Sequence, residues 1–126
     1  MTVLDTCILI DSLTGPKRSA PALRKAIERG ERLLLPSLVL YEWLRGPRTP
    51  AELGAQEALF SEQSVLPFGP REAMIAAELY RVVRRPRGRE LDLAIAAHAL
   101  VRDAGLWTLN VADFRDIPHL RLVTTF

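Results

Sequence analysis

Residues 2–13 read TVLDTCILIDSL, a short apolar run that stops at Asp5 and passes directly into a helix start. Val3-Leu4 forms a strand, Thr6 suits the N-cap of a helix over Cys7 to Leu13, and Gly15-Pro16 stops that helix. The alternation continues downstream. Ala22 to Arg29 carries Leu23, Ala26 and Ile27 at helical spacing, with Gly30 as a C′ residue. Arg32 to Leu35 reads as a buried strand closed by Pro36, and Ser37 caps a helix through Leu44 that Gly46-Pro47 ends. Helices are expected over Ala51 to Gln63, Glu72 to Arg84 and Glu90 to Asp103, the last ended by Gly105. In the second of these, Ala73, Ala76, Ala77, Tyr80 and Val83 form the apolar stripe. Val65 to Phe68, Trp107 to Leu109 and Leu120 to Thr124 are the remaining strand candidates, with Pro67 arguing for an edge position or an early end of the first. Strands alternating with helices predict an α/β fold whose central, mainly parallel sheet is covered on both faces. In such sheets ligands bind at the carboxyl ends of strands, where Asp5 stands.

The 126 residues suit one domain, 1–126, with no repeat or linker. Hydrophobic residues at 48% and charged residues at 25% exclude a disordered or membrane-spanning composition. Cys7 is the single cysteine, so no internal disulfide forms, which fits a reducing, cytoplasmic location. The opening residues lack a basic region, and aspartates interrupt their apolar stretch, unlike a signal peptide.

Glu28, Glu31, Glu52, Glu57, Glu62, Glu72 and Glu78 have polar helical neighbours and are read as solvated. Four other acids are harder to dismiss. Asp5 ends a strand, and with Thr6 available as the cap it is free for other work. Glu42 is the one charged residue between Leu38 and Leu44, where a buried carboxylate calls for a cation or a partner such as Arg45. Asp92 opens LDLAIAAHALV (91–101), in a first helical turn that favours an anion. Asp113 lies on the loop after a strand, with Asn110 in the same turn as a neutral oxygen donor, and Asp116 nearby reads as a cap or solvated. His98 sits off the Asp92 face and reads as a core or surface residue.

Like-charged carboxylates 4 Å apart repel by ~4 kcal/mol at an effective dielectric of 20, so a cluster needs a bound cation or a retained proton. Oxygen donors without histidine or thiolate suit Mg²⁺ or Mn²⁺ rather than zinc. Such a centre points to metal-assisted hydrolysis of phosphodiesters.

Four blocks, VLDTCILID (3–11), SLVLYEWLRG (37–46), ELDLAIAAHAL (90–100) and TLNVADF (108–114), resemble the PIN-domain ribonucleases, most of all the VapC-type toxins of toxin–antitoxin pairs. The resemblance runs end to end. It implies a three-layer α/β/α sandwich with a central parallel sheet and Mg²⁺- or Mn²⁺-dependent endonucleolytic cleavage of RNA. It also implies a homodimer, and a cognate antitoxin whose peptide, commonly through an arginine, enters the active-site groove. Asp5, Glu42 and Asp92 match the family's first three acids and Thr6 its small hydroxyl residue. The fourth falls on Asp113, with Asn110 in support.

All but Lys17 and Lys25 of the 17 basic residues are arginines, and Arg81, Arg84, Arg85, Arg87 and Arg89 crowd one stretch leading into Asp92. Arg84, Arg85, Arg87 and Arg89 are placed to grip RNA phosphates, while Tyr41 and Trp43 read as core or dimer-surface residues. The main rival function is a catalytically inactive PIN-like domain that binds RNA or protein, whose mark would be a lost acid; none of the first three is lost. A phosphatase using Asp5 as nucleophile wants an aspartate where Cys7 stands, and a receiver domain wants a late lysine.

Overall fold

The structure is a computed structural model describing all residues 1–126. It contains four strands, β1 (Thr2–Leu4), β2 (Leu33–Leu34), β3 (Gly105–Trp107) and β4 (Leu122–Val123), and seven α-helices. These are α1 (Thr6–Leu13), α2 (Ala20–Glu28), α3 (Ser37–Arg45), α4 (Pro50–Leu59), α5 (Pro70–Val82), α6 (Glu90–Arg102) and α7 (Val111–Phe114). All strand pairs are parallel, in the order β2-β1-β3-β4. β1 is buried along its whole length and β3 likewise, as expected when helices cover both sheet faces in an α/β/α sandwich. No helix is long and apolar enough to cross a membrane.

The chain goes from β1 outward to β2, then returns past β1 to β3. The direction of winding therefore reverses between β1 and β3, and the crevice at their carboxyl ends is the topological switch point where such sheets bind ligands. The core beneath it comprises Val3, Leu4, Ile8, Leu35, Trp43, Ile95, Leu106 and Phe114, among others. α6 packs against both β1 and β3, which is why LDLAIAAHALV is apolar nearly all round.

Several boundaries and faces differ from the sequence expectations. The expected strand over Val65 to Phe68 contributes one parallel bridge, Pro36 to Leu66, and the helix after Pro47 ends at Leu59, followed by a 3₁₀ turn over Glu62–Ser64. Ser37 begins α3 but does not cap it; its N–H donates to the Leu66 carbonyl at 2.8 Å. Asp103, in the left-handed conformation at φ 51, ends α6 in place of Gly105. Gly105 instead opens β3, where a Cβ would stand 2.7 Å from Val123 Cγ2 of the neighbouring strand.

The stripe expected on α5 is rotated. Val83 is buried as expected and Ala76 half-buried, but Ala73, Ala77 and Tyr80 face solvent, while Glu72 and Leu79 are buried in their place. Glu72, read as solvated, is thus a buried carboxylate: it accepts from the Gly69 N–H at 3.2 Å as the helix cap and pairs with Arg102 at 3.5 Å. Burial alone would raise its carboxyl, but backbone N–H groups and Arg102 hold it below its ordinary range. His98 is fully buried beside Phe68, with no partner on either ring nitrogen, and burial lowers it to about 4.

Candidate active site

The register Leu4 opposite Trp107 makes the next residues, Asp5 and Thr108, neighbours at the switch point. Thr108 Oγ1 donates to Asp5 Oδ2 at 2.7 Å. The Thr6 N–H donates to Asp5 Oδ1 at 2.9 Å, and the Cys7 thiol reaches Oδ2 at 3.4 Å. Burial and the Asp5 charge raise the Cys7 thiol, so it remains protonated and able to donate. Asp5 is 4% exposed and fully held.

Contrary to the sequence expectation, Asp5 and not Thr6 is the N-cap of α1. Thr6 turns its hydroxyl elsewhere, donating to Glu42 Oε1 at 2.7 Å. Asp5 therefore caps α1 while standing at the switch point, and Thr6 secures a second carboxylate, Glu42. The other Glu42 oxygen lies 3.3 Å from Arg45 Nη2, on the exposed side of α3. Trp43 points into the core and Tyr41 into solvent.

Asp92, in the first turn of α6, is half-buried. Its carboxyl is pushed up to about 6, first by desolvation and then by Asp5, Asp113 and Glu42; Arg89 opposes this. The three other acids therefore all act on one position, which is the convergence the sequence pattern anticipates. Asp113 is exposed and lies within the short helix α7 rather than on a loop. The Asn110 N–H donates to Thr108 Oγ1 at 2.9 Å, so Asn110 enters the site through its backbone.

As the side chains are set, no three His, Cys, Asp or Glu residues close into a group able to hold a metal ion. The donor set nevertheless fits a hard divalent cation. It is four carboxylates gathered near the β1–β3 switch point, and the negative field that three of them create at Asp92 is one that a cation would relieve.

Arg84 and Arg85 are exposed and, with Arg89, Ala112, Asp113 and Asp116, line a recess of about 620 Å³ beside the acids. Arg87 is exposed in the same turn. Arg89, expected with them to face RNA, instead has its guanidinium taken up by protein oxygens at the wall of the recess. Its Nη2 donates to Asp116 Oδ1 at 2.6 Å and its Nη1 to Asp116 Oδ2 at 2.9 Å. Asp116, expected as a cap or a solvated residue, is an ion-pair partner.

Thr108, Cys7 and the Arg89–Asp116 pair are features of the site beyond the sequence expectations. Thr108 has a legible signal: in a parallel sheet the residue after an adjacent strand stands beside Asp5. The ion pair has none, because it joins residues 27 positions apart, with α6, β3 and α7 between them.

The PIN domain family matches residues 2–120 of the chain. Ribonuclease VapC19 of Mycobacterium tuberculosis, from strains CDC 1551 / Oshkosh and H37Rv alike, is 38% identical over 123 residues, 96% of this chain and 98% of that protein. Among solved structures, DNA-bound VapBC from Salmonella typhimurium superposes with a TM-score of 0.74 at 26% identity, covering 97% of this chain and 96% of that one. VapBC2 from Rickettsia felis, bound to a DNA fragment from its promoter, gives 0.73 at 20% identity over 97% and 96%, a likeness of fold. With the family match and a relative aligned over almost the whole length of both proteins, this chain belongs to the PIN-domain family and, within it, to the VapC group.

Proposed function

We propose that this protein is a metal-dependent endoribonuclease, the toxin of a toxin–antitoxin pair. The convergence of Asp5, Glu42, Asp92 and Asp113 on the β1–β3 switch point carries the reading. It is supported by the relative named as a ribonuclease and by structural neighbours that are VapBC complexes. By the same likeness, a cognate antitoxin protein, a homodimer and a cytoplasmic site of action belong to the proposal. Tyr41 and Leu44, exposed on the helix that carries Glu42, give a protein partner apolar surface next to the acids.

Asp5, Glu42, Asp92 and Asp113 would hold Mg²⁺ or Mn²⁺. Bound there, the cation would supply Lewis-acid stabilisation of the charge developing on the phosphate oxygens and would make an attacking water more acidic. The chain's own groups do the rest. Thr108, Cys7 and the Thr6 N–H fix Asp5 in one orientation, and Thr6 fixes Glu42. Asp92, whose carboxyl burial and the other three acids push up to about 6, is the position at which a bound cation would relieve the most repulsion and keep the carboxylate charged. Arg84, Arg85 and Arg87 offer guanidinium groups to the phosphates flanking the cleaved bond.

The test is cleavage of a mixed RNA substrate by purified protein in Mg²⁺, Mn²⁺ or EDTA, beside Asp5→Asn. Metal-dependent cleavage that the substitution removes supports the proposal. RNA or antitoxin binding without cleavage under any condition would support an inactive binding module instead.

A further inference from the structure

Among the arginines at 81–89, Arg89 is used differently from the rest. Its side chain is 21% exposed, and both terminal nitrogens are committed to protein oxygens. Besides the forked pair with Asp116, Nη2 donates to the Asp113 carbonyl at 2.9 Å and Nη1 to the Arg84 carbonyl at 3.2 Å. A forked guanidinium–carboxylate pair fixes orientation as well as distance. The backbone is anchored too: the Arg89 N–H donates to Pro86 O at 3.0 Å, and its carbonyl accepts from Leu93 N at 2.9 Å. One residue therefore joins three segments, namely the arginine-rich turn, the head of α6 with Asp92, and α7 with Asp113. α7 has four residues and no side-chain cap, so it cannot hold its own conformation and must be held from outside.

We propose that Arg89 is a positioning residue, with Asp116 as its counterpart. Their clasp sets where Asp113 stands relative to Asp92, and Arg89 makes no contact with RNA. The inference rests on the carboxylate site proposed above. It assigns separate work to neighbouring arginines: Arg84 and Arg85 face the recess, while Arg89 builds its wall.

Electrostatics give the test a sign. Removing a cation beside two acids should, through charge alone, tighten the binding of a divalent cation. Loosening Asp113 should weaken it. Arg89→Gln and Asp116→Asn in the full chain are compared with wild type by Mn²⁺ titration calorimetry without RNA. Amide exchange at residues 111–116 and the salt dependence of RNA binding in EDTA are measured alongside. Both variants are expected to weaken Mn²⁺ binding about tenfold, as loss of a support for a ligand typically does. Both should speed exchange at 111–116 and leave the salt slope unchanged. Tighter Mn²⁺ binding in Arg89→Gln, or unchanged exchange in either variant, overturns the proposal. So does a salt slope reduced by about one in Arg89→Gln, the mark of an arginine that had been neutralising a phosphate. If wild type binds no Mn²⁺, the reading of the metal site fails, and the exchange data still decide whether the clasp holds α7.

Discussion

Thr6 Oγ1 donates a 2.7 Å hydrogen bond to Glu42 Oε1, so the head of the first helix holds a carboxylate of the third, 36 positions away. Thr6→Val keeps the side-chain shape and removes the donor, leaving Glu42 to turn toward Arg45. Cleavage should fall about tenfold, a typical loss when the support of a ligand is removed. Stability should fall by about 1 kcal/mol, the net worth of one such bond. Thr6→Ser should retain both. Single-turnover cleavage and urea denaturation of the two variants check this, and a fully active Val variant would remove Thr6 from the site's machinery.

Asp92→Asn should abolish cleavage yet raise stability near pH 7. Three other acids and partial burial oppose its charge in the folded state, and none of that repulsion survives unfolding. Discounted for its partial exposure, the gain is about 1 kcal/mol. An inactive variant that is also markedly less stable would make Asp92 a structural residue instead.

Asp92 and His98 should act on stability in opposite directions across nearly the same pH interval. His98 is lowered from 6.5 to about 4, so its contribution is complete above pH 6.5. Between there and pH 4 the unfolded chain takes the proton first, and stability is lost. Asp92 is raised from 3.8 to about 6, so as pH falls from 6 the folded chain takes the proton first, and stability is gained. Glu31, Glu72 and Asp116 lie below their ordinary values and add an acid-side loss shared by all variants. Denaturation at stepped pH should therefore show Asp92→Asn losing stability on acidification more steeply than wild type, and His98→Leu less steeply. Parallel curves for all three proteins would contradict both assignments.

Neutralising Arg84, Arg85 and Arg87 together should weaken RNA binding and reduce its salt slope by about two to three, near one unit for each phosphate no longer neutralised. Binding measured in EDTA at several salt concentrations reads this directly. An unchanged slope would make the turn a solvated surface with no role in substrate affinity.

The sequence carries the parts of this design that are written locally. Asp5 at a strand end, Glu42 within an apolar helix and Asp92 opening another are each visible because a charge interrupts a pattern. The parallel α/β architecture follows from the same patterns. What stays hidden depends on contacts between distant segments. Asp5 and Thr6 can both cap α1, and the choice between them shows only in distant contacts, Thr108 on Asp5 and Glu42 on the Thr6 hydroxyl. The face of α5 misleads because alanine is apolar enough to look buried and small enough to be exposed, whereas Glu72 is buried because Gly69 and Arg102 satisfy it. Arg89 reads like its neighbours until its partner at 116 is known.

The strand order also sets a timetable. β1 lies at the centre of the sheet, and its partner β3 is formed by residues 105–107. A chain emerging from the ribosome exposes Asp5, Glu42 and Asp92 long before the strand that seats Asp5 exists. Thr108 and Asp113 appear later still. The proposed catalytic centre is thus assembled only once residues beyond 105 have been made, and chains terminated before residue 105 should be harmless to the RNA around them.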